Sequence, residues 1–161
     1  MSQLKNKTTL NLVLIFSVFA LSSAYFVQYI LGHKPCNLCL IERLPYIFSI
    51  ILILLSLILN KFEKIFIILL VLVFISATII SFYHFGIEQG FFQESLVCNS
   101  DNEISNLNKE DLLKELQKKT ISCKDVDFTL FGLSLATINT IISFILSVIT
   151  LKIFFNYEKN K

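Results

Sequence analysis

Hydrophobic residues dominate four long segments of this chain, and none of these segments contains a charged residue. Each segment has about 17–24 residues, and a helix needs roughly 20 apolar residues to cross about 30 Å of hydrocarbon. A helix also satisfies its own backbone hydrogen bonds, as a segment inside lipid must. The pattern therefore predicts an all-α membrane protein, a four-transmembrane-helix bundle in a lipid bilayer. The predicted helices cover about 9–31, 44–60, 65–84 and 128–152.

The starts of the first two segments fit this prediction. Pro45 stands at the beginning of the second and shortest segment, where its missing N–H removes no helical hydrogen bond. Basic residues precede the first segment, as they do in a signal peptide. Its apolar run is longer than the roughly 7–15 residues of a signal sequence, so we expect it to remain as a membrane span.

Composition excludes several classes of protein. Of the 161 residues, 55% are hydrophobic and 16% are charged, which leaves too few polar groups to cover a soluble domain. The length allows one membrane domain over 1–161. The net charge of +2, without a basic stripe, favours no nucleic acid partner.

The distribution of basic residues predicts the orientation. With both termini in the cytoplasm, the cytoplasmic segments hold seven lysines and two glutamates, whereas the outer segments hold seven basic and ten acidic residues. An excess of lysine in short inner segments is typical of membrane proteins. We therefore expect outer loops at about 32–43 and 86–127, and all four cysteines fall in them. The outer compartment would be oxidising, because disulfides persist there and not in the cytosol.

The second outer loop is mostly polar and predicts one short helix. Asn108 can cap it, acidic residues begin it and lysines end it over 109–119. Three leucines share one face, which favours a short amphipathic helix that packs on the loop or on the membrane surface. A role in docking a partner is the alternative.

Cys36 and Cys39 form a CxxC motif just before the second predicted helix. Partial positive charge at a helix start favours the thiolate. Arg43 lies one helical turn after Cys39 and so on the same face, where a fixed cation can stabilise a thiolate or an anionic acceptor. A structural disulfide is one alternative. Half of a zinc site is another, and it is disfavoured because the remaining cysteines form no second closely spaced pair.

Cys98 and Cys123 are the remaining cysteines, both in the second outer loop. Four cysteines allow three connectivities, and spacing alone does not choose between them. A bond between these two would be either a staple, worth about 3 kcal/mol through loop closure, or a redox-active bridge on a mobile arm. The nearby CxxC motif favours the redox-active interpretation.

Two further polar residues lie at the outer ends of predicted transmembrane helices. A lone interfacial histidine such as His84 is more often structural than catalytic, but this one should lie at the depth of Cys39 and Arg43. Glu42 could be a surface ion pair or could extend to the lipid interface. No metal ligand set is assigned to these residues.

Three motifs carry a resemblance to a known family. CNLCLIER at 36–43 resembles the CxxC-x-x-E-R signature of the DsbB family of disulfide bond formation proteins. YHFGIEQG at 83–90 is similar to the end of that family's third helix, and FGLSLATIN at 131–139 is similar to the start of its fourth. The resemblance covers nearly the whole chain. The lack of tryptophan and the individual sequence between the second pair of cysteines depart from it.

The resemblance implies a disulfide-generating oxidoreductase of the bacterial inner membrane. Cys36 and Cys39 would exchange electrons with a quinone, ubiquinone or menaquinone, and Cys39 would be nearest to the ring. Arg43 would stabilise the encounter of quinone and thiolate, and His84 would lie beside the same pocket.

The resemblance also implies a partner. Cys98 and Cys123 would be the shuttle pair, and a periplasmic DsbA-like thiol oxidase would attack Cys98. All cysteines would then be periplasmic and both termini cytoplasmic. The resemblance implies no role for Glu42.

Two other functions remain as alternatives. A quinone reductase like vitamin K epoxide reductase also has four helices, a CxxC motif and a second pair, but there the loop pair precedes the CxxC motif. A non-catalytic tetraspan scaffold with structural disulfides would show neither bound quinone nor thiol exchange.

Overall fold

A computed structural model of the chain describes residues 2–59, 62–94, 98, 122–124, 129–130 and 132–159. The short helix predicted at 109–119 lies outside these residues. Five helices and one two-stranded hairpin make up the described part, in the order α1 Ser2–Tyr29, α2 Asn37–Ile41, α3 Leu44–Ile58, α4 Glu63–Glu88, β1 Thr129–Leu130, β2 Leu133–Ser134 and α5 Leu135–Lys159.

Four helical segments of the described chain are long and apolar enough to cross a membrane. They are Lys7–Tyr29, Asn37–Ile58, Glu63–Glu88 and Leu135–Lys159. The second combines α2 and α3, which a turn at Glu42 and Arg43 separates. The predicted fold class, an all-α bundle of four membrane spans, is confirmed.

The last span begins later than the charge-free segment does. Strands β1 and β2 pair as a small antiparallel hairpin in which Thr129 is opposite Ser134 and Leu130 is opposite Leu133. Gly132 turns this hairpin with a φ of 80°, a conformation that glycine adopts without a steric penalty. The helix therefore starts at Leu135, whereas the sequence pattern placed its start near 128.

Helix α4 packs against both α3 and α5, and α1 packs against α3 and α5. Small polar side chains are buried where these helices meet, such as Ser17 and Ser49, whose hydroxyls are 3.1 Å apart. Small residues allow helix backbones to approach closely, which is how helices associate in lipid. Large apolar side chains such as Ile79 and Phe155 remain exposed on the outside, where lipid would cover them.

The two ends of the bundle differ in chemistry. At one end, Lys64 Nζ lies 2.8 Å from a carboxylate oxygen of Glu158, which joins the start of α4 to the end of α5. At the other end, Cys36, Cys98 and Cys123 form one buried cluster with the end of α4, and Cys39 packs against it. The fold thus collects the sulfur chemistry at one end of the bundle.

Candidate active site

The CxxC motif forms the N-terminus of α2. Cys36 is the N-cap residue, with extended backbone angles of φ −70° and ψ 169°. Its Sγ accepts a hydrogen bond from the backbone N–H of Cys39 at 3.2 Å. The Cys36 sulfur thus caps the helix, as the side-chain oxygen of a serine or aspartate often does. Both cysteines of the motif are free thiols. Cys36 is buried, whereas Cys39 is partly exposed.

His84 brings an imidazole from α4 to the Cys36 sulfur. Its Nε2 lies 3.6 Å from Cys36 Sγ, and its Nδ1 lies 2.8 Å from Glu42 Oε1. A carboxylate can only accept a hydrogen bond, so Nδ1 carries a proton and donates it to Glu42. Nε2 is left facing the sulfur, and the thiol and the imidazole can share one proton.

These contacts change the acidity of Cys36. A hydrogen bond from the Cys39 side chain is the largest cause that lowers the pKa of Cys36, and His84 lowers it further through a hydrogen bond and its charge. Burial acts in the opposite direction. The result is a pKa of about 5 instead of the ordinary 9.0. A thiolate is the reactive form in disulfide exchange, so Cys36 is activated near neutral pH.

Glu42 is the centre of a buried polar network. Its Oε2 accepts a hydrogen bond from Asn139 Nδ2 at 2.8 Å, and the same amide group donates to Ser81 Oγ at 2.9 Å. The hydroxyl of Tyr46 donates to Asn139 Oδ1 at 2.6 Å. Within the described part of the chain, no buried side-chain nitrogen or oxygen lacks a hydrogen-bond partner. The network therefore offsets the cost of burying a carboxylate and holds His84 in one orientation.

Arg43 faces α1 and not the Glu42 network. It donates a hydrogen bond to Gln28 Oε1 at 2.5 Å, and its guanidinium carbon lies 5.0 Å from the centre of the Tyr25 ring. Both contacts restrict the guanidinium without neutralising its charge. Arg43 is thus a fixed cation on the α1 side of the CxxC motif.

A cavity of about 770 Å³ opens beside these groups. Ligand sites in proteins typically have volumes of about 300–1,000 Å³, with apolar walls and a few polar groups. Here the polar groups include Cys39, Arg43 and His84, so the structure brings these three sequence candidates to one cavity. The apolar wall comes from α1 and α5 and includes Phe16, Phe19, Phe26, Leu135, Ile138 and Ile142.

Cys98 and Cys123 form a disulfide with a Cα–Cα distance of 5.5 Å. Their exposed fractions are 4% and 2%, and they pack in one cluster with Cys36, Leu38 and Ile87. Sequence spacing left the connectivity open. The structure shows this bond and brings the bridge next to the CxxC motif.

The end of α4 supports the segment that carries the bridge. After Gly90 turns the chain with a φ of 76°, the ring of Phe92 folds back over Gly86 and stacks on Tyr83 with ring centres 5.6 Å apart. Glu94 then accepts hydrogen bonds from the Ser122 hydroxyl and from the Lys124 backbone N–H. Contacts on both sides of Cys123 therefore hold the disulfide against the segment that follows α4.

Comparison with known proteins agrees with this geometry. The model of the family described as "Disulfide bond formation protein DsbB" matches residues 6–153. The uncharacterized protein RP370 of Rickettsia prowazekii (strain Madrid E) is 34% identical over 155 residues, which cover 94% of this chain and 90% of that protein.

The chain belongs to the DsbB family. It is therefore a multi-pass membrane protein with an oxidoreductase role in disulfide bond formation. Family membership favours this role over the alternatives of a tetraspan scaffold and a protein like vitamin K epoxide reductase.

Sequence reasoning missed part of this DsbB-family site. It assigned no role to Glu42 and did not consider Asn139 or Gln28, which contact Glu42 and Arg43. A signal was present, because Asn139 and Gln28 interrupt apolar spans. Polar groups at such positions are costly in lipid and often mark functional sites.

Proposed function

We propose that this DsbB-family protein oxidises a periplasmic DsbA-like thiol oxidase and passes the electrons to a membrane quinone. One observation carries the proposal. A buried disulfide, Cys98–Cys123, and a dithiol, Cys36 and Cys39, of which Cys36 is activated, lie in one cluster beside a large cavity with apolar walls. Such an arrangement can receive electrons from a thiol on one side and release them to an apolar acceptor on the other.

The cavity has the chemistry that a quinone requires. Its aromatic and aliphatic wall suits a ring with an isoprenoid tail, and Arg43 and His84 offer hydrogen-bond donors for carbonyl oxygens. When bound, a quinone supplies the oxidant, because it takes up two electrons and two protons as the Cys36–Cys39 disulfide forms. Ubiquinone and menaquinone both fit this description.

The first exchange takes place at the second pair. A thiolate of the partner attacks Cys98 Sγ, the Cys98–Cys123 bond breaks, and Cys123 leaves as a thiolate. The partner's second thiolate then attacks the mixed disulfide and releases the partner oxidised. Cys98 and Cys123 are left as two thiols that hold the two electrons.

The second exchange passes these electrons to the CxxC motif. A thiolate of the reduced second pair attacks the Cys36–Cys39 disulfide, and resolution of the mixed disulfide forms the Cys98–Cys123 bond again. The structure has Cys98–Cys123 bonded and both CxxC thiols free. This combination corresponds to the state after internal transfer and before oxidation of Cys36 and Cys39.

The burial of Cys98 adds a requirement to the first step. At 4% exposure, Cys98 leaves little room for an external thiolate to approach. The cluster must therefore open around Cys98 when the partner docks. While closed, it protects the bridge from small thiols, and it keeps the bridge close to Cys36 for internal exchange.

His84 and Glu42 can together remove the proton from the Cys36 thiol. The imidazole faces the sulfur at 3.6 Å and can take the thiol proton, while the Glu42 carboxylate stabilises the charge that results. Cys39 borders the cavity and is more exposed than Cys36. This difference supports Cys39 as the sulfur nearest to the acceptor.

Stopped-flow oxidation of a reduced DsbA-like partner, with and without added quinone, tests the proposal. Cys39→Ser should abolish quinone reduction. Cys98→Ser should block partner oxidation but leave the absorption spectrum of bound quinone unchanged. Normal turnover by either variant, or partner oxidation that does not depend on quinone, would contradict the proposal.

A further inference from the structure

We propose that the reduced Cys36–Cys39 pair and His84 together form a binding site for one thiophilic divalent cation of the Zn²⁺ class. Two sulfurs and one imidazole nitrogen from these residues lie within 4.8 Å of one another. Two helices supply them, α2 through its first turn and α4 through its last turns. The site thus exists only in the folded bundle.

The separation of the Cys36 sulfur and the His84 nitrogen matches that of two ligand atoms in a tetrahedral site. Zinc binds cysteine sulfur at about 2.3 Å and histidine nitrogen at about 2.0–2.1 Å, which separates neighbouring ligand atoms by about 3.5–3.8 Å. Cys36 Sγ and His84 Nε2 are 3.6 Å apart. A cation can therefore bridge these two atoms at their present separation, and the Cys39 sulfur lies within 4.8 Å of both.

The support around the histidine is already in place. A metal-binding imidazole usually donates its other N–H to a carboxylate, which fixes the ring and makes the ligating nitrogen more basic. His84 Nδ1 makes this contact with Glu42 at 2.8 Å, and Asn139 holds the other carboxylate oxygen. The carboxylate, imidazole and sulfur are thus arranged as a metal site requires.

The charges also balance. Binding releases the protons that the two thiols and His84 hold, and the two thiolates beside a neutral imidazole then offset the charge of the divalent cation. Three protein ligands leave a fourth position for water, and the 770 Å³ cavity borders both cysteines and the histidine. Electrons are not transferred in this step.

The spacing of the cysteines alone does not reveal this metal site. Cys98 and Cys123 form no second CxxC motif, which disfavours a four-cysteine zinc site, and the structure bonds them to each other. The third ligand is instead a histidine on another helix, 48 residues away from Cys36. Only the reduced CxxC motif can bind the cation, because a disulfide has no thiolate to donate.

Cation binding would remove both CxxC sulfurs from thiol exchange while the metal is bound. The reduced dithiol can therefore be oxidised, be alkylated or bind a cation. This consequence concerns the dithiol itself and depends neither on the quinone nor on the partner proposed above.

Titration of the reduced, detergent-purified full chain with Cd²⁺ tests the inference. We expect the ultraviolet cadmium–thiolate absorption band to saturate at one cation per chain, and Zn²⁺ to displace it. A Cys98→Ser, Cys123→Ser double variant should give the same stoichiometry, because the second pair is not part of the site. The fully oxidised protein should show no band.

Variants separate this site from a bare CxxC motif. Glu42→Gln should weaken cation affinity about 10- to 100-fold, as loss of a supporting carboxylate does elsewhere, and His84→Ala should weaken it at least as much. Glu63→Gln, at the opposite end of α4, is the matched control and should leave affinity unchanged. Bound Cd²⁺ should also abolish maleimide labelling of Cys36.

Three outcomes would overturn the inference. They are the absence of a band in the reduced protein, an affinity that Glu42→Gln and His84→Ala leave unchanged, and one cation shared by two chains. Failure of quinone reduction would not produce any of them, since cation binding is measured without an acceptor.

Discussion

Cys36 and Cys39 differ in their surroundings although only two residues separate them. Both cysteines border the cavity, but Cys36 is buried, caps α2 and faces His84, whereas Cys39 is partly exposed. Proton control is thus concentrated at one sulfur, and access to an apolar acceptor at the other. This difference leads to three predictions at the scale of single residues.

The first prediction concerns the pH dependence of Cys36. Its pKa is lowered from 9.0 to about 5, so the thiolate persists above about 5 and is lost as pH falls through that value. The alkylation rate of the reduced protein should stay nearly constant from pH 9.0 down to near 5 and then fall. Because the pKa of Cys36 is lower in the folded protein than its ordinary value, this thiol also stabilises the folded reduced form increasingly as pH rises from about 5 towards 9.0. Alkylation followed by mass spectrometry, with a chelator present, measures the profile.

Cys36→Ser is the control for this profile, since it retains only Cys39 in the motif and should lose the rapid reaction. A single decline of the rate near the ordinary thiol value of 9.0 would show that Cys36 is not activated in this way.

The second prediction concerns Glu42. Glu42→Gln keeps the shape of the side chain but removes the charge that stabilises a protonated His84 beside Cys36. The midpoint of the Cys36 alkylation profile should rise by about one pH unit, equivalent to about 1.4 kcal/mol. Glu63→Gln removes the same charge at the far end of α4 and should leave the midpoint unchanged. A profile identical to that of the unaltered protein would mean that Glu42 does not act through His84.

The third prediction concerns Arg43. Arg43→Ala removes a charge-assisted donor from the cavity, and such bonds contribute about 1.5–3 kcal/mol. The KM for quinone should rise roughly 10- to 100-fold. Thermal unfolding should change little, because the hydrogen bond to Gln28 is only partly buried and Tyr25 is 42% exposed. Steady-state kinetics measures the change, Arg43→Lys should retain part of the affinity, and an unchanged KM would contradict the role.

Among the elements, the end of α4 does the most to organise the site. It carries His84, it ends at Glu88, and it receives the ring of Phe92 against Gly86. A Cβ at position 86 would lie 2.1 Å from a carbon of that ring. The glycine thus allows the following segment, which leads towards Cys98, to fold back on the helix.

Gly86→Ala therefore should destabilise the protein by about 1–3 kcal/mol through overpacking, because the Phe92 ring must move. The shift in the midpoint of thermal unfolding in detergent measures this cost. Phe92→Ala removes the clash, so adding Gly86→Ala to Phe92→Ala should cost much less than it does alone. Equal costs in both backgrounds would show that the ring does not need the glycine.

For the whole molecule, the decisive feature is that both cysteine pairs share one end of the bundle. The Lys64–Glu158 ion pair joins the start of α4, the third span, to the end of α5, the fourth. These two helix ends therefore lie together at the end of the bundle opposite the cysteines. Electron transfer between the pairs then needs no crossing of the membrane. We expect the cysteine end to face the periplasm and both termini to face the cytoplasm.

A membrane-impermeant maleimide tests this orientation in intact spheroplasts. In a background that lacks the four native cysteines, Leu133→Cys, in the hairpin before α5, should be labelled from outside. Phe62→Cys, at the start of α4, should be labelled only after lysis. Both positions are exposed, so burial does not explain a difference. Labelling of Phe62→Cys from outside would invert the predicted topology.

The sequence by itself determined the four spans and the chemical identity of the site. Membrane insertion depends on the length and apolar character of a segment, and both are local properties of the chain. The CxxC motif at a helix start is local as well, and so is the polar Asn139 within an apolar span, although its meaning was not recognised. Helix ends were less accurate, because Gly132 and the hairpin begin α5 at Leu135.

Only the tertiary structure decided which of these groups meet. The contact of Cys36 with His84 spans 48 residues, that of Glu42 with His84 spans 42, and that of Glu42 with Asn139 spans 97. The Cys98–Cys123 bond and its place beside Cys36 belong to the same class. Such contacts depend on how α4 and α5 pack against α2 and α3. Helix packing is determined by all the side chains at these interfaces together, and no single stretch of sequence contains that information.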